Sequence, residues 1–243
     1  MTADDAGRRP IWAAARAMLI WTVPMALLLL VPAGLVPGGT WIWPHGLALM
    51  AGLALIGLVG NLVLTLNRPT HFRVRQQSVV AARGRRQPWI DAAGSVGLLV
   101  FGAAWLAFIP LDVFRLHLLP APGPWATAAG GLAALIGATL TPLAVWENRL
   151  ATPNVQDQTD LGQRVVDTGV YRLVRHPLYL GNLLLYLGAS VWLGSYAAAV
   201  GVIVLLLATV ARIAIEEKDL RARLPAYADY ARRVRGRLIP FLL

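Results

Sequence analysis

Between Arg16 and Arg68 the chain carries no Asp, Glu, Lys or Arg. A hydrocarbon core of ~30 Å takes ~20 helical residues, so this stretch is too long for one crossing and predicts two. The break falls in PAGLVPGGTWIWPHG (32–46), where Pro and Gly supply a turn and Trp41 and Trp43 an interfacial aromatic belt. The first spans are then expected at about 16–35 and 46–66, with a third at 92–109 and a fourth at 125–146. From Leu178 to Ala211 charge is again absent, with a small hinge at Gly194-Ser195, which reads as a tight helical hairpin of two more spans. The pattern predicts an all-α, polytopic membrane bundle of about six transmembrane helices. No fixed repeat period is visible.

The polar positions cluster late in the chain. Residues 1–146 read as a four-span membrane region, and residues 147–243 hold nearly every group with chemical potential. The loop 147–175 is polar but carries Val165-Val166 and a turn signal, Asp167-Thr168-Gly169, as an ordered loop would. Beyond Glu216 the last span runs on into polar sequence until Pro225 breaks it. Tyr227, Tyr230, Ala231 and Val234 then recur at helical spacing, predicting an amphipathic C-terminal helix against the membrane face.

Composition agrees: 57% hydrophobic, 14% charged, mean hydropathy +0.60, outside the range of ordinary soluble domains. If the N-terminus is cytoplasmic, all of the 22 Lys and Arg except Arg115 fall on cytoplasmic segments. The positive-inside rule therefore predicts both termini in the cytoplasm, as in an inner or plasma membrane. The net charge of +10 is then explained by topology and anionic headgroups, without nucleic acid. In particular, the arginines from Arg68 to Arg86 are expected at headgroups. The absence of cysteine excludes disulfides and thiolate chemistry, and four scattered histidines show no metal-ligand spacing. The first apolar run is too long for a signal-peptide core and has no small-residue cleavage site, so it is expected to stay in the membrane.

Chemistry concentrates at the cytoplasmic ends of the last two spans. In GVYRLVRHPLYLG (169–181), Pro177 suits the first helical position and leaves His176 at the cap, beside backbone amides without helical partners. Such a helix end attracts anions, and Arg175 and His176 would add donors. Arg212 and Glu216 lie four residues apart, on one face of the last span where it leaves the membrane. An ionisable residue at membrane depth is costly enough to suggest a task. A short hairpin makes the two spans antiparallel neighbours, so Arg175, His176, Tyr179, Arg212 and Glu216 are expected to share one polar pocket. Glu217, by contrast, is expected to have a structural role or to face solvent.

These strings resemble the isoprenylcysteine carboxyl methyltransferase family, whose pattern is GxYxxxRHPxYxG, an arginine four residues before EExxL, YxxY and a closing RxIP. Gly169, Tyr171, Arg175, His176, Pro177, Tyr179, Gly181, Arg212, Glu216, Glu217, Leu220, Tyr227, Tyr230, Arg237 and Pro240 supply every element, over roughly the last 90 residues. The resemblance implies a membrane enzyme using S-adenosylmethionine at the cytoplasmic face. It implies a cofactor site lined by Gln163, Arg164, Val165, Val166, Tyr171, Arg175, His176, Pro177, Leu178, Tyr179 and Glu216, with Arg212 facing the methyl acceptor and Gln156 as a further cofactor contact. Glu216 suits the cofactor's ammonium, and Tyr171, Tyr179 or Leu178 its ring. Methyl transfer needs positioning more than acid–base groups, and near-attack geometry can supply ~7–11 kcal/mol; Arg212 could orient a carboxylate or thiolate acceptor.

RHPxYxG alone is shared with phospholipid N-methyltransferases and membrane sterol reductases. A sterol-reductase-like enzyme using a nicotinamide dinucleotide is therefore the second reading, with EExxL behind Arg212 arguing for the methyl donor. A non-catalytic transporter or assembly factor is the third. Transport predicts polar residues near the midplane of several spans, and the first four lack them. The acceptor is a lipid, an isoprenoid acid, a thiol or an amine.

Overall fold

The computed structural model describes residues 3–72, 89–151 and 163–240. Among them it is all-helical: α1 (Ala3–Leu35), α2 (Pro44–Asn67), α3 (Trp89–Leu111), α4 (Pro124–Glu147), α5 (Pro177–Trp192), α6 (Tyr196–Arg223) and α7 (Ala226–Arg233). Three helices open with proline at the first turn, where its missing N–H is not needed: α2, α4 and α5.

Five helical stretches are long and apolar enough to cross a membrane, at Pro10–Leu35, Pro44–Asn67, Leu99–Leu116, Pro124–Glu147 and Tyr196–Arg223. This is an integral membrane protein, and its helices carry large exposed apolar side chains such as Trp21, Leu27, Leu55, Leu99, Leu135 and Leu207, as a lipid-facing surface must. The sixth expected span is α5, and it is the exception. Its 16 residues reach only about 24 Å, less than the ~30 Å core, because the helix starts at Pro177 and ends before Gly194.

That short helix is held by backbone packing. A Cβ on Gly137 of α4 would sit 2.4 Å from the Leu185 amide nitrogen and 2.5 Å from the Gly181 carbonyl oxygen, and one on Gly188 would sit 2.4 Å from the Ala134 nitrogen. Gly130 and Gly181 are similarly crowded by α5 and α4 backbone. The two helices therefore approach until their main chains touch, the mode of association that small residues permit in lipid. On its other side α5 turns at Gly194 (φ +100°) into α6, the hairpin that the small residues at 194–195 predict.

At that turn Ser195 caps α6, its Oγ accepting the Ala198 N–H at 2.9 Å. The same hydroxyl donates to Asp112 Oδ2 at 2.6 Å, while Asp112 Oδ1 accepts the Leu118 N–H at 3.0 Å. Asp112 is buried and opens a π-helical turn, Asp112–Leu116, that ends α3. The main core fills the adjacent half of the bundle with Leu29, Trp43, Met50, Trp105, Ile109, Leu193 and Val202. The opposite end of the bundle, where α4 and α6 finish and α5 begins, carries the polar cluster.

Candidate functional site

The segment before α5 is fixed by the C-terminus. The Arg175 and His176 backbone N–H groups donate to the Gly236 and Arg237 carbonyls, both at 3.0 Å. Side chains repeat the tie. Arg175 Nε donates to Glu217 Oε1 at 2.8 Å, and its Nη1 donates to the Ala231 and Val234 carbonyls at 3.0 Å each. His176 Nε2 lies 3.3 Å from the same Glu217 oxygen. Arg221 and Arg237 approach the second oxygen, Oε2, at 3.3 and 3.5 Å. Arg175, His176 and Glu217 are all buried, and Arg175 Nε and Nη1 and His176 Nε2, in residues expected to offer donors to an anion, have partners within the protein. Glu217 does not face solvent.

Glu216, one residue earlier, points elsewhere because successive helical residues lie ~100° apart. Its Oε2 accepts the Tyr179 hydroxyl proton at 2.9 Å. Tyr179 also feels the charge of Arg212, one turn deeper in α6. No Arg212–Glu216 ion pair forms; Nε and Nη2 of Arg212 are buried without a hydrogen-bond partner.

Between α5, α6, α7 and the extended 163–166 segment lies an open cleft. Gln163, Arg164, Val165, Val166, Tyr171, Arg175, His176, Pro177, Leu178, Tyr179 and Glu216 all line it, and Arg212 does not. Gln156 lies outside the described residues. Asn148, Leu150, Ala151, Asp219, Leu220, Arg223, Leu224, Tyr227 and Tyr230 complete the wall, and spacing alone assigns none of these to a site. Arg223 is paired with Asp219 and donates to Gln163 Oε1 at 3.3 Å, which ties the 163–166 segment to α6.

The two tyrosines of α7 behave differently. The Tyr230 hydroxyl donates to the Tyr171 carbonyl at 2.8 Å, but the Tyr227 hydroxyl is buried with no partner. Burial, the largest cause, raises the pKa of both above the ordinary tyrosine value, so both are neutral donors at physiological pH. An unpaired buried hydroxyl costs about 1–3 kcal/mol, and this one borders the cleft. At the start of α5, the Leu178 and Tyr179 amides belong to the first turn, which has no intrahelical acceptors. The site thus presents the Glu216 carboxylate, a second carboxylate, Asp219, already paired with Arg223, one orphan phenol, helix-end amides, and walls of Val165, Leu178, Leu220 and Tyr171. Among the described residues no group of His, Asp and Glu is arranged to hold a metal.

A bundle of lipid-facing helices with this cleft at one end defines an integral-membrane protein with a polar cleft where α4 and α6 finish and α5 begins. Residues 125–224 match the family model described as phospholipid methyltransferase. This region, which runs from α4 through α6, is where the chain is similar to that family. A comparison with curated proteins gave no match.

Proposed function

We propose that the protein transfers a methyl group from S-adenosylmethionine to a lipophilic or membrane-delivered acceptor, with the cleft between α5, α6 and α7 as the cofactor site. When bound, that cofactor supplies an electrophilic methyl group on a sulfonium. The observation that carries the reading is the convergence of Glu216, Tyr179, the α5 amides and the orphan Tyr227 hydroxyl on one cleft beneath the C-terminal helix.

The donor set suits such a ligand. Glu216, oriented by Tyr179, complements an ammonium; the α5 amides complement a carboxylate; Tyr227 offers a hydrogen bond that no protein group takes up. Tyr171, Val165 and Leu178 supply apolar surface for a nucleoside ring. Arg212, half-buried below Tyr179 with its Nε and Nη2 atoms buried and unpartnered, is the residue for the acceptor side. In hydrocarbon, guanidinium donors left without partners are costly, so an anionic acceptor group would satisfy these two and be held for in-line attack. We assign residues 147–243 the cofactor role and residues 1–146 the acceptor side. The Lys and Arg bias of the sequence supports a cytoplasmic position for the cleft. Lipids, isoprenoid acids, thiols and amines are the acceptor classes.

Purified protein incubated with methyl-labelled S-adenosylmethionine and fractionated membrane extracts tests this. Label is expected in an organic-soluble product and is lost with Glu216→Ala or Arg212→Ala. Absence of label from every fraction, together with nicotinamide-dinucleotide-dependent reduction of a lipid, would overturn it in favour of the reductase reading.

A further inference from the structure

The end of the bundle opposite the cleft is closed by two loops that touch. Residues 36–43 join α1 to α2, and residues 117–123 join the π-helical turn after α3 to α4. A Cβ on Gly38 would lie 3.1 Å from the Phe114 carbonyl oxygen, and the Trp43 and Phe114 rings meet edge to face at 5.2 Å. The outer surface of this pair is apolar. Trp41, Ile42, Leu118, Leu119 and Trp125 are exposed there, Ile42 by 77% and Trp125 by 90%. Residues 36–47 and 113–125 contain no acid and no lysine, and their one arginine is Arg115. Exposed apolar patches of this kind mark a contact with a membrane or another protein.

The backbone of the same loops is arranged as hydrocarbon requires, where a polar group without a partner is costly. The Val36, Gly39 and Thr40 N–H groups donate to the Pro32, Val36 and Ala33 carbonyls at 2.9, 2.8 and 2.8 Å, and the Ile42 N–H donates to Thr40 Oγ1 at 3.0 Å. In the second loop the His117 and Leu118 N–H groups donate to the Asp112 carbonyl at 2.8 Å and its carboxylate at 3.0 Å. Pro37, Pro120, Pro122 and Pro124 have no N–H to satisfy. The α5–α6 turn lies under this cover. Trp192 Nε1 donates to the His45 carbonyl at 2.9 Å, and a Cβ on Gly194 would lie 3.8 Å from the Val113 side chain. The short α5 thus ends beneath the loops.

We propose that these two loops are immersed in the leaflet opposite the cleft, among its acyl chains and glycerol groups, instead of standing in water. Continuity decides for lipid over a protein partner: Leu35, Leu47 and Leu116, exposed at the adjoining helix ends, join the patch to the lipid-facing sides of the bundle. Trp41 and Trp125 then act as interfacial anchors, and the exposed Arg115 reaches the headgroups along its apolar stem. This seating is independent of what the cleft binds.

The chain has no cysteine, so single cysteines can carry an environment-sensitive fluorophore. Ile42→Cys and Leu118→Cys are labelled beside two references, Leu207→Cys on the lipid-facing side of α6 and Arg232→Cys on the exposed side of α7. Each full-length protein is reconstituted into phosphatidylcholine–phosphatidylglycerol vesicles with iodide on both sides of the membrane. Iodide is expected to quench the label at Ile42 and Leu118 several-fold less than at Arg232. Nitroxide-bearing lipid is expected to quench it several-fold more, with emission shifted to the blue as at Leu207. Iodide quenching equal to that at Arg232 would overturn the proposal, since the loops would then stand in water. Protection from both quenchers would also overturn it, in favour of a second copy of the chain covering the patch. If either variant does not melt cooperatively, Leu119→Cys or Trp125→Cys replaces it with the same expected and contrary results.

Discussion

Glu217 and Arg175 are separated by 42 residues in sequence, yet their side chains meet at 2.8 Å in the protein interior. This pair, with His176, fastens the α5 start to the C-terminal segment, while adjacent Glu216 turns to the cleft. Removing one member of a buried ion pair costs about 3–5 kcal/mol. Glu217→Ala is expected to lower stability by about that amount and to expose the Arg175 and His176 amides, which donate to the Gly236 and Arg237 carbonyls, to hydrogen exchange. Glu216→Ala is expected to leave both unchanged. Equal destabilisation by the two would refute this assignment of the acids.

Tyr227→Phe removes a hydroxyl that no protein group uses, and Tyr230→Phe one that holds the Tyr171 carbonyl. The first is expected to leave melting unchanged or slightly raised and to weaken S-adenosylhomocysteine binding several-fold. The second is expected to cost about 1 kcal/mol of stability with little change in affinity. Because burial raises both pKa values, folding favours the protonated phenols. The affinity difference should then be flat from pH 6 to pH 9, and their stabilising effect should fall away as pH rises above the ordinary tyrosine range near ~10. Calorimetry and thermal melts across that range check the pair.

At Gly188 even a methyl group would lie 2.4 Å from the Ala134 nitrogen, whereas at Gly201 nothing lies within 4 Å of an added Cβ. Gly188→Ala is expected to push α5 off α4 and cost about 1–3 kcal/mol, and Gly201→Ala to be neutral or stabilising. Comparison of melting temperatures in one detergent decides this. A neutral Gly188→Ala would mean that the two backbones are not in contact.

Ser195 carries two roles at the far end of the bundle, capping α6 and bonding Asp112. Ser195→Ala should cost about 1–3 kcal/mol, since the buried Asp112 loses a donor as well as the helix its cap. Denaturation of the variant against wild type measures it, and a change below a few tenths of a kcal/mol would show that the α3–α6 tie is not needed.

Much of this was legible in the sequence because lipid imposes a simple pattern. Charge-free runs gave the long helices, Gly194-Ser195 the hairpin, and Pro225 followed by Tyr227 and Tyr230 the last helix. The motif residues from Gln163 to Tyr179, with Glu216, line one cleft. What spacing concealed was partnership. Arg175 and His176 resemble anion donors until the C-terminal carbonyls and Glu217 are seen to engage them. Glu217 itself continues the buried stripe of Val202, Thr209 and Ile213, a periodicity that marks it as inward-facing. Asp112 was hidden because its partner, Ser195, lies 83 residues away. The length of α5 was overread because the absence of charge was taken as helix, and only the Pro177 start and Gly194 turn limit it.

The central claim is that the cleft behind Glu216 holds the methyl donor. Calorimetry of solubilised protein with S-adenosylmethionine, S-adenosylhomocysteine and NADPH tests it most directly. The account predicts binding of the first two, weakened at least about tenfold by Glu216→Ala, and none of the third. Tight NADPH binding without S-adenosylhomocysteine binding would contradict it.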